Sequence, residues 1–181
     1  MSSRAVFLDR DGVINELVPP TFERGPRSVQ ELVLKPGIKD LIPRLVQLDY
    51  MCIVITNQPD VSRGRLSNQS LKEIHEQILD SIPGIARIYT CPHDNHEDCT
   101  CRKPKPGLIE RALLDFKINA SNSYFVGDRW TDILAAHLSG VSSVLLSNPL
   151  ANDGGSQGPK PEWLEPNFTI YKVLDLLPIV S

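Results

Sequence analysis

Nowhere in its 181 residues does the chain run apolar for long enough to cross a membrane, and its first residues, Met1-Ser2-Ser3-Arg4, lack the pattern of a secretory signal. The expectation is a cytoplasmic protein with no membrane partner. Lys and Arg are scattered rather than gathered into a stripe, and the net charge is −3, so the electrostatic footprint of a nucleic-acid surface is missing. No internal repeat is evident, and no two cysteines have the C-x-x-C spacing of a common zinc finger or ribbon. What is present is ordinary for a soluble globular chain: 41% hydrophobic and 23% charged residues, enough for a single domain over 1–181 and too few for two of usual size.

Periodicity gives alternating strands and helices, the pattern of a doubly wound parallel α/β sheet with helices on both faces, a three-layer Rossmann-like fold. Short apolar runs mark strands at Ala5–Leu8, Met51–Ile55, Ile85–Tyr89, Tyr124–Val126 and Val144–Leu146, with a weaker sixth at Phe168–Ile170. Helical spacing marks Gly37–Leu48 and Ser70–Ile82, the latter with a capping box of Ser70 and Glu73. Pro106-Gly107 open a third helix running to about Phe116, a fourth starts near Thr131, and a last covers Tyr171–Leu177. Leu17–Glu31 reads as a long flap, and Ser147–Pro166 as a surface loop.

Three of these strands end in polar residues, and open α/β sheets bind ligands at the carboxyl ends of their strands. The first runs into Asp9-Arg10-Asp11-Gly12-Val13-Ile14-Asn15, which sets two carboxylates two residues apart on a turn that can present one carboxylate and one carbonyl to a divalent cation. Taken alone it also fits a plain acidic turn. The second runs into Thr56-Asn57-Gln58, a hydroxyl, two amides and backbone N–H groups suited to phosphoryl oxygens, or equally to capping a turn. The fourth runs into Gly127-Asp128-Arg129-Trp130-Thr131-Asp132, where Asp128 can bind a cation and Asp132, one turn into the helix, can order its hydration or favour the helix N-terminus. Arg102-Lys103-Pro104-Lys105-Pro106-Gly107 adds cations before a helix start, with Lys103 able to reach a phosphate.

Together, in this order and on these elements, the four segments resemble the haloacid dehalogenase superfamily over residues 4 to about 146. The resemblance implies that Asp9 is a nucleophile forming an aspartyl-phosphate. It implies that Asp11 protonates the leaving alkoxide and later activates water, and that Thr56 and Lys103 hold the phosphoryl oxygens. Magnesium would sit on Asp9, the Asp11 carbonyl and Asp128. Only 46 residues separate Asp9 from Thr56, and 46 separate Thr56 from Lys103, so no large cap domain is expected.

Cys91-Pro92-His93 and Cys99-Thr100-Cys101 supply three thiolates and an imidazole, the ligand set of a closed structural zinc site, with His96 as a competing ligand. A redox pair at Cys99 and Cys101, or coincidental clustering, are the other readings of the same residues. Cys52 lies in an apolar strand and reads as core. C-P-H followed by C-x-C-R-K-P-x-P-G, with D-R-D-G-V-I-N, T-N-Q and V-G-D, resembles the D-glycero-D-manno-heptose 1,7-bisphosphate 7-phosphatases and the related histidinol-phosphate phosphatase domains. That likeness implies a monomeric phosphatase of a phosphorylated sugar, with magnesium for chemistry and structural zinc, and with Asn57, Gln58, Arg102 and Lys103 at the substrate. Leu17-Val18-Pro19-Pro20 and Pro59-Asp60 depart from the family's usual sequences on surfaces expected to touch the sugar. A non-catalytic zinc-stabilised binding module is the contrasting class.

Overall fold

The structure is a computed structural model that describes residues 3–20, 24–147 and 159–181. Residues 21–23 of the expected flap and 148–158 of the expected loop lie outside the described residues. Six strands form one sheet: β1 (Arg4–Leu8), β2 (Tyr50–Asn57), β3 (Ile85–Cys91), β4 (Tyr124–Gly127), β5 (Ser142–Leu146) and β6 (Phe168–Ile170). Every pairing is parallel and the spatial order is β3-β2-β1-β4-β5-β6. Chain order reverses between β1 and β4, which opens a crevice at their carboxyl ends.

Alternation along each strand divides the core in two. Val6, Leu8, Cys52, Val54, Val126, Val144 and Leu146 face α1 (Ile38–Gln47) and α2 (Asn68–Ser81). Ala5, Phe7, Ile53, Ile55 and Phe125 face α3 (Gly107–Asp115) and α4 (Trp130–Leu138). The expected three layers are therefore present. Because parallel strands buried on both faces have no solvent side, their apolar runs are continuous, which is why they were legible.

Two helix boundaries differ from expectation. The N-cap of α2 is Ser67, whose side chain accepts from the Ser70 backbone N–H at 2.9 Å, so Ser70 is the third helical residue rather than the cap. Both serines satisfy the Ser-x-x pattern, and the apolar period does not separate them. The last segment, expected as a helix over 171–177, is a 3-10 turn at Val173–Leu176 followed by α5 (Leu177–Val180). Pro178 suits the first turn of a helix and not its middle, so the α-helical segment begins just before it. Strands β2 and β3 each run two residues further than their apolar cores suggest, carrying Thr56, Asn57 and Cys91 on regular backbone.

Candidate active site

Register decides what meets at the crevice. Leu8 is level with Val54 on one side and Val126 on the other, so Asp9, Thr56 and Asp128 leave the same edge of the sheet within two residues of those partners. The Asp9 backbone N–H donates to the Val126 carbonyl at 2.9 Å, which ties the acidic turn to β4. Gly12, at φ +92°, then brings the backbone so close that a Cβ there would collide with the Asp128 carboxylate.

Asp9, Asp128 and Asp132 are all buried and bring carboxylate oxygens within 4.8 Å of one another. Neither Asp128 oxygen has a hydrogen-bond partner among the described residues. Burial, then the charges of Asp9 and Asp132, pushes the Asp128 carboxyl well above the usual range. Burial also pushes Asp9 up to about 6, against the pull of Lys103. Three crowded carboxylates, one with both oxygens unsatisfied, make an all-oxygen donor set that fits a divalent cation such as magnesium.

Lys103 is the cation already there. Its buried Nζ lies 2.8 Å from Asp9 Oδ1 and 2.6 Å from Asp132 Oδ1, and donates to the Ile55 carbonyl at 3.1 Å. The Phe125 ring lies beneath it, 5.2 Å to the centroid. Burial opposes its charge, but Asp132 and Asp9 outweigh that and raise its pKa. Asn57 fixes the segment: its Nδ2 donates to the Lys103 carbonyl at 3.0 Å and its Oδ1 accepts from the Lys103 N–H at 3.1 Å. Asn57, expected at the substrate, thus spends both polar groups on holding Lys103.

Asp11 is placed apart from the three-carboxylate cluster. Arg10, fully buried, donates to it through Nε and Nη2 at 3.0 Å each, Asn15 Nδ2 donates at 3.0 Å and Gln58 Nε2 at 2.7 Å. Burial opposes the charge, but Arg10, with help from Asn15 and Gln58, holds the carboxyl below its usual value. In this arrangement Asp11 is held as the carboxylate. Gln58 also donates to Thr56 Oγ1 at 2.8 Å, so it links two expected site residues.

Across the mouth, Cys91, His93, Cys99 and Cys101 converge. The Sγ of Cys91 and Cys101 lie 3.6 and 3.5 Å from that of Cys99, and His93 Nδ1 lies 3.6 Å from Cys91 Sγ and 3.2 Å from Cys101 Sγ. Edges near these lengths fit a tetrahedron with Zn–S of about 2.3 Å, so the group is compatible with zinc. His96 is outside it, exposed and 3.8 Å from Asp94. Arg102, the residue after Cys101, turns to this loop, donating to Asn95 Oδ1 at 2.6 Å and the His93 carbonyl at 3.3 Å.

Sequence reasoning did not single out Arg10, Asn15 or His75, whose Nε2 lies 3.1 Å from Arg10 Nη1. Nor did it find the ion pairs that join three loops: Arg27 of the flap with Asp60 after β2 at 2.6 Å, and Arg63 after β2 with Asp94 of the cysteine loop at 2.6 Å. Asn15 and Arg10 lie inside the D-R-D-G-V-I-N run, and that was their only signal.

A HAD-hydrolase-like family model matches residues 100–163, which include Lys103, Asp128 and Asp132. Over 158 residues the chain is 33% identical to the D-glycero-beta-D-manno-heptose-1,7-bisphosphate 7-phosphatase of Haemophilus ducreyi, covering 81% of this chain and 84% of that one. The chain belongs to the heptose-bisphosphate phosphatase family of HAD-like hydrolases. Another relative in the family, the D-glycero-alpha-D-manno-heptose-1,7-bisphosphate 7-phosphatase of Campylobacter jejuni, is 32% identical and covers 85% of this chain and 88% of its own. The fold is similar to that of a D,D-heptose 1,7-bisphosphate phosphatase from B. bronchiseptica solved with magnesium and phosphate, at TM-score 0.78 and 27% identity over 97% of this chain and 99% of that one.

Proposed function

We propose that the chain is a magnesium-dependent phosphomonoesterase that removes the 7-phosphate of D-glycero-D-manno-heptose 1,7-bisphosphate, working as a cytoplasmic monomer of one domain. The observation that carries the reading is the meeting of Asp9, Asp128, Asp132 and Lys103 at the point where strand order reverses.

Asp9 attacks phosphorus, forming the aspartyl-phosphate and releasing the sugar alkoxide; water then cleaves the acyl-phosphate and regenerates the carboxylate. Lys103, its backbone fixed by Asn57 and its Nζ by the Ile55 carbonyl, neutralises charge on the phosphoryl oxygens, and Thr56, whose hydroxyl accepts from Gln58 Nε2, leaves the same edge of the sheet. Asp11 gives the alkoxide its proton and takes one from the attacking water. Its ionised state, gripped by Arg10, is the form needed for the second of these acts. Asp9 and Asp128 would hold magnesium together with the Asp11 carbonyl, Asp132 bracing Lys103 beside them; the ion supplies charge neutralisation that lets a carboxylate approach a phosphate dianion. The four zinc ligands have a structural role, since the set is closed and its last member immediately precedes Arg102-Lys103.

Relatives named for both the alpha and the beta anomer lie at similar distance, so the anomer is left to experiment. Phosphate release is measured with magnesium on both anomers of the heptose bisphosphate and on histidinol phosphate. Preference for a heptose anomer is expected. Faster turnover of histidinol phosphate overturns the substrate, and no release from any ester overturns the enzyme reading in favour of a binding module.

A further inference from the structure

Arg10 is a fully buried cation whose fork grips Asp11 through Nε and Nη2, leaving Nη1 pointed at α2. There it meets His75 Nε2 at 3.1 Å. A guanidinium has only donors, so Nε2 must be the acceptor and the imidazole is neutral with its proton on Nδ1. Burial and the adjacent Arg10 charge, which bring His75 down to about 4, act in the same direction. His75 belongs to no substrate-facing segment and lies in the middle of a helix, between the core residues Ile74 and Ile78.

We propose that His75 is a positioning residue for proton transfer at Asp11: it anchors Arg10 to α2, so that the guanidinium fork stays in place and sets the direction of the Asp11 carboxyl. This rests on Asp11 being the acid and base of the reaction. Without the anchor, the fork is free to turn, and it carries the Asp11 carboxyl off the line along which a proton has to pass to the leaving oxygen. The Asn15 and Gln58 amides remain as neutral donors and do not replace a fixed cation.

The consequence depends on the leaving group. An alkoxide needs the proton as the ester bond breaks, whereas a nitrophenolate leaves without one. Because kcat/KM reports only steps through departure of the leaving group, it isolates the acid step from later hydrolysis of the aspartyl-phosphate. His75→Leu is therefore measured on heptose 1,7-bisphosphate, with histidinol phosphate in its place if the heptose is not hydrolysed, and on 4-nitrophenyl phosphate. General acid catalysis contributes about 10²- to 10⁴-fold, and losing its alignment alone is expected to remove roughly tenfold from the alkyl ester relative to the aryl ester. His75→Gln, whose amide oxygen can sit where Nε2 does, restores the ratio.

A structural role for His75 would lower both rates together and leave the ratio unchanged. That result, or a ratio shifted toward the alkyl ester, overturns the proposal. Asp11→Asn is the control for the underlying reading. If it fails to discriminate between the esters, the acid role of Asp11 falls and the His75 proposal with it; if it discriminates and His75→Leu does not, only the His75 proposal falls.

Discussion

Replacing Asp128 by Asn should make the metal-free protein more stable while destroying its response to magnesium. Both Asp128 oxygens are buried without a hydrogen-bond partner among the described residues, and the group is crowded by Asp9 and Asp132. Asn has the same shape, so the tight passage beneath Gly12 is kept. It removes one of three like charges and supplies an amide N–H₂ that can donate to a neighbouring carboxylate. A buried unsatisfied polar group costs about 1–3 kcal/mol, more when charged. For a chain of this length each kcal/mol moves Tm by roughly 2–4 °C, so a rise of roughly 2–12 °C is expected in a chelator near neutral pH.

The pH dependence follows from the direction of the shift. A carboxyl whose pKa is raised by folding weakens the fold as pH climbs from the ordinary carboxylate range through the raised value, and has no such effect below that range. The advantage of Asp128→Asn should therefore shrink as pH falls toward about 4. Thermal unfolding with chelator and with magnesium, at neutral and acid pH, reads all of this. The reasoning is refuted if the metal-free variant unfolds below the wild type, or if magnesium stabilises both equally.

Asp9→Asn should reduce phosphate release to background while the fold persists by circular dichroism; activity in a purified sample would remove Asp9 as nucleophile. Lys103→Met leaves Asp9 and Asp132 as buried carboxylates without their cation, and breaking such a pair costs about 3–5 kcal/mol. Denaturant unfolding without metal should show that loss, with turnover lost as well. Protein purified without added metal should contain zinc, and Cys101→Ser should lose both the zinc and most of the activity, without rescue by magnesium. A zinc-free but active Cys101→Ser protein would separate the loop from the site.

The parts legible in the sequence were those with local causes. Buried parallel strands write continuous apolar runs, and each strand end then shows its polar residue within two positions, which is how Asp9, Thr56 and Asp128 could be placed on one edge before any coordinates. The zinc ligands were legible because two short pairs bracket one loop. Tertiary partnership was not legible. Asn57 and Gln58 read as substrate contacts because amides at a strand end suit phosphate; that they also hold Lys103, and Asp11 with Thr56, across 46 and 47 positions of sequence in the longest of these bonds, had no local signal. Arg10 looked like the unassigned letter of D-x-D; its charge is met by the adjacent Asp11, but the acceptor for its remaining Nη1, His75, lies 65 residues away on α2 and left no local signal.

The same distinction bears on the departures from the family pattern. Asp60 looks like a change of charge on the substrate side, but its carboxylate takes Arg27 of the flap at 2.6 Å and lies 3.9 Å from Arg63, which in turn is paired with Asp94 of the zinc loop. Two cations and two carboxylates cancel within that chain. Such partly exposed pairs add about 0–1 kcal/mol each, so their effect is to tie three loops in register rather than to stabilise the fold. Arg102 differs, because it donates to neutral acceptors, Asn95 Oδ1 and the His93 carbonyl, and makes no direct ion pair among the described residues. The departure at Asp60 therefore acts on how firmly the three loops are tied together, not on how much positive charge they present.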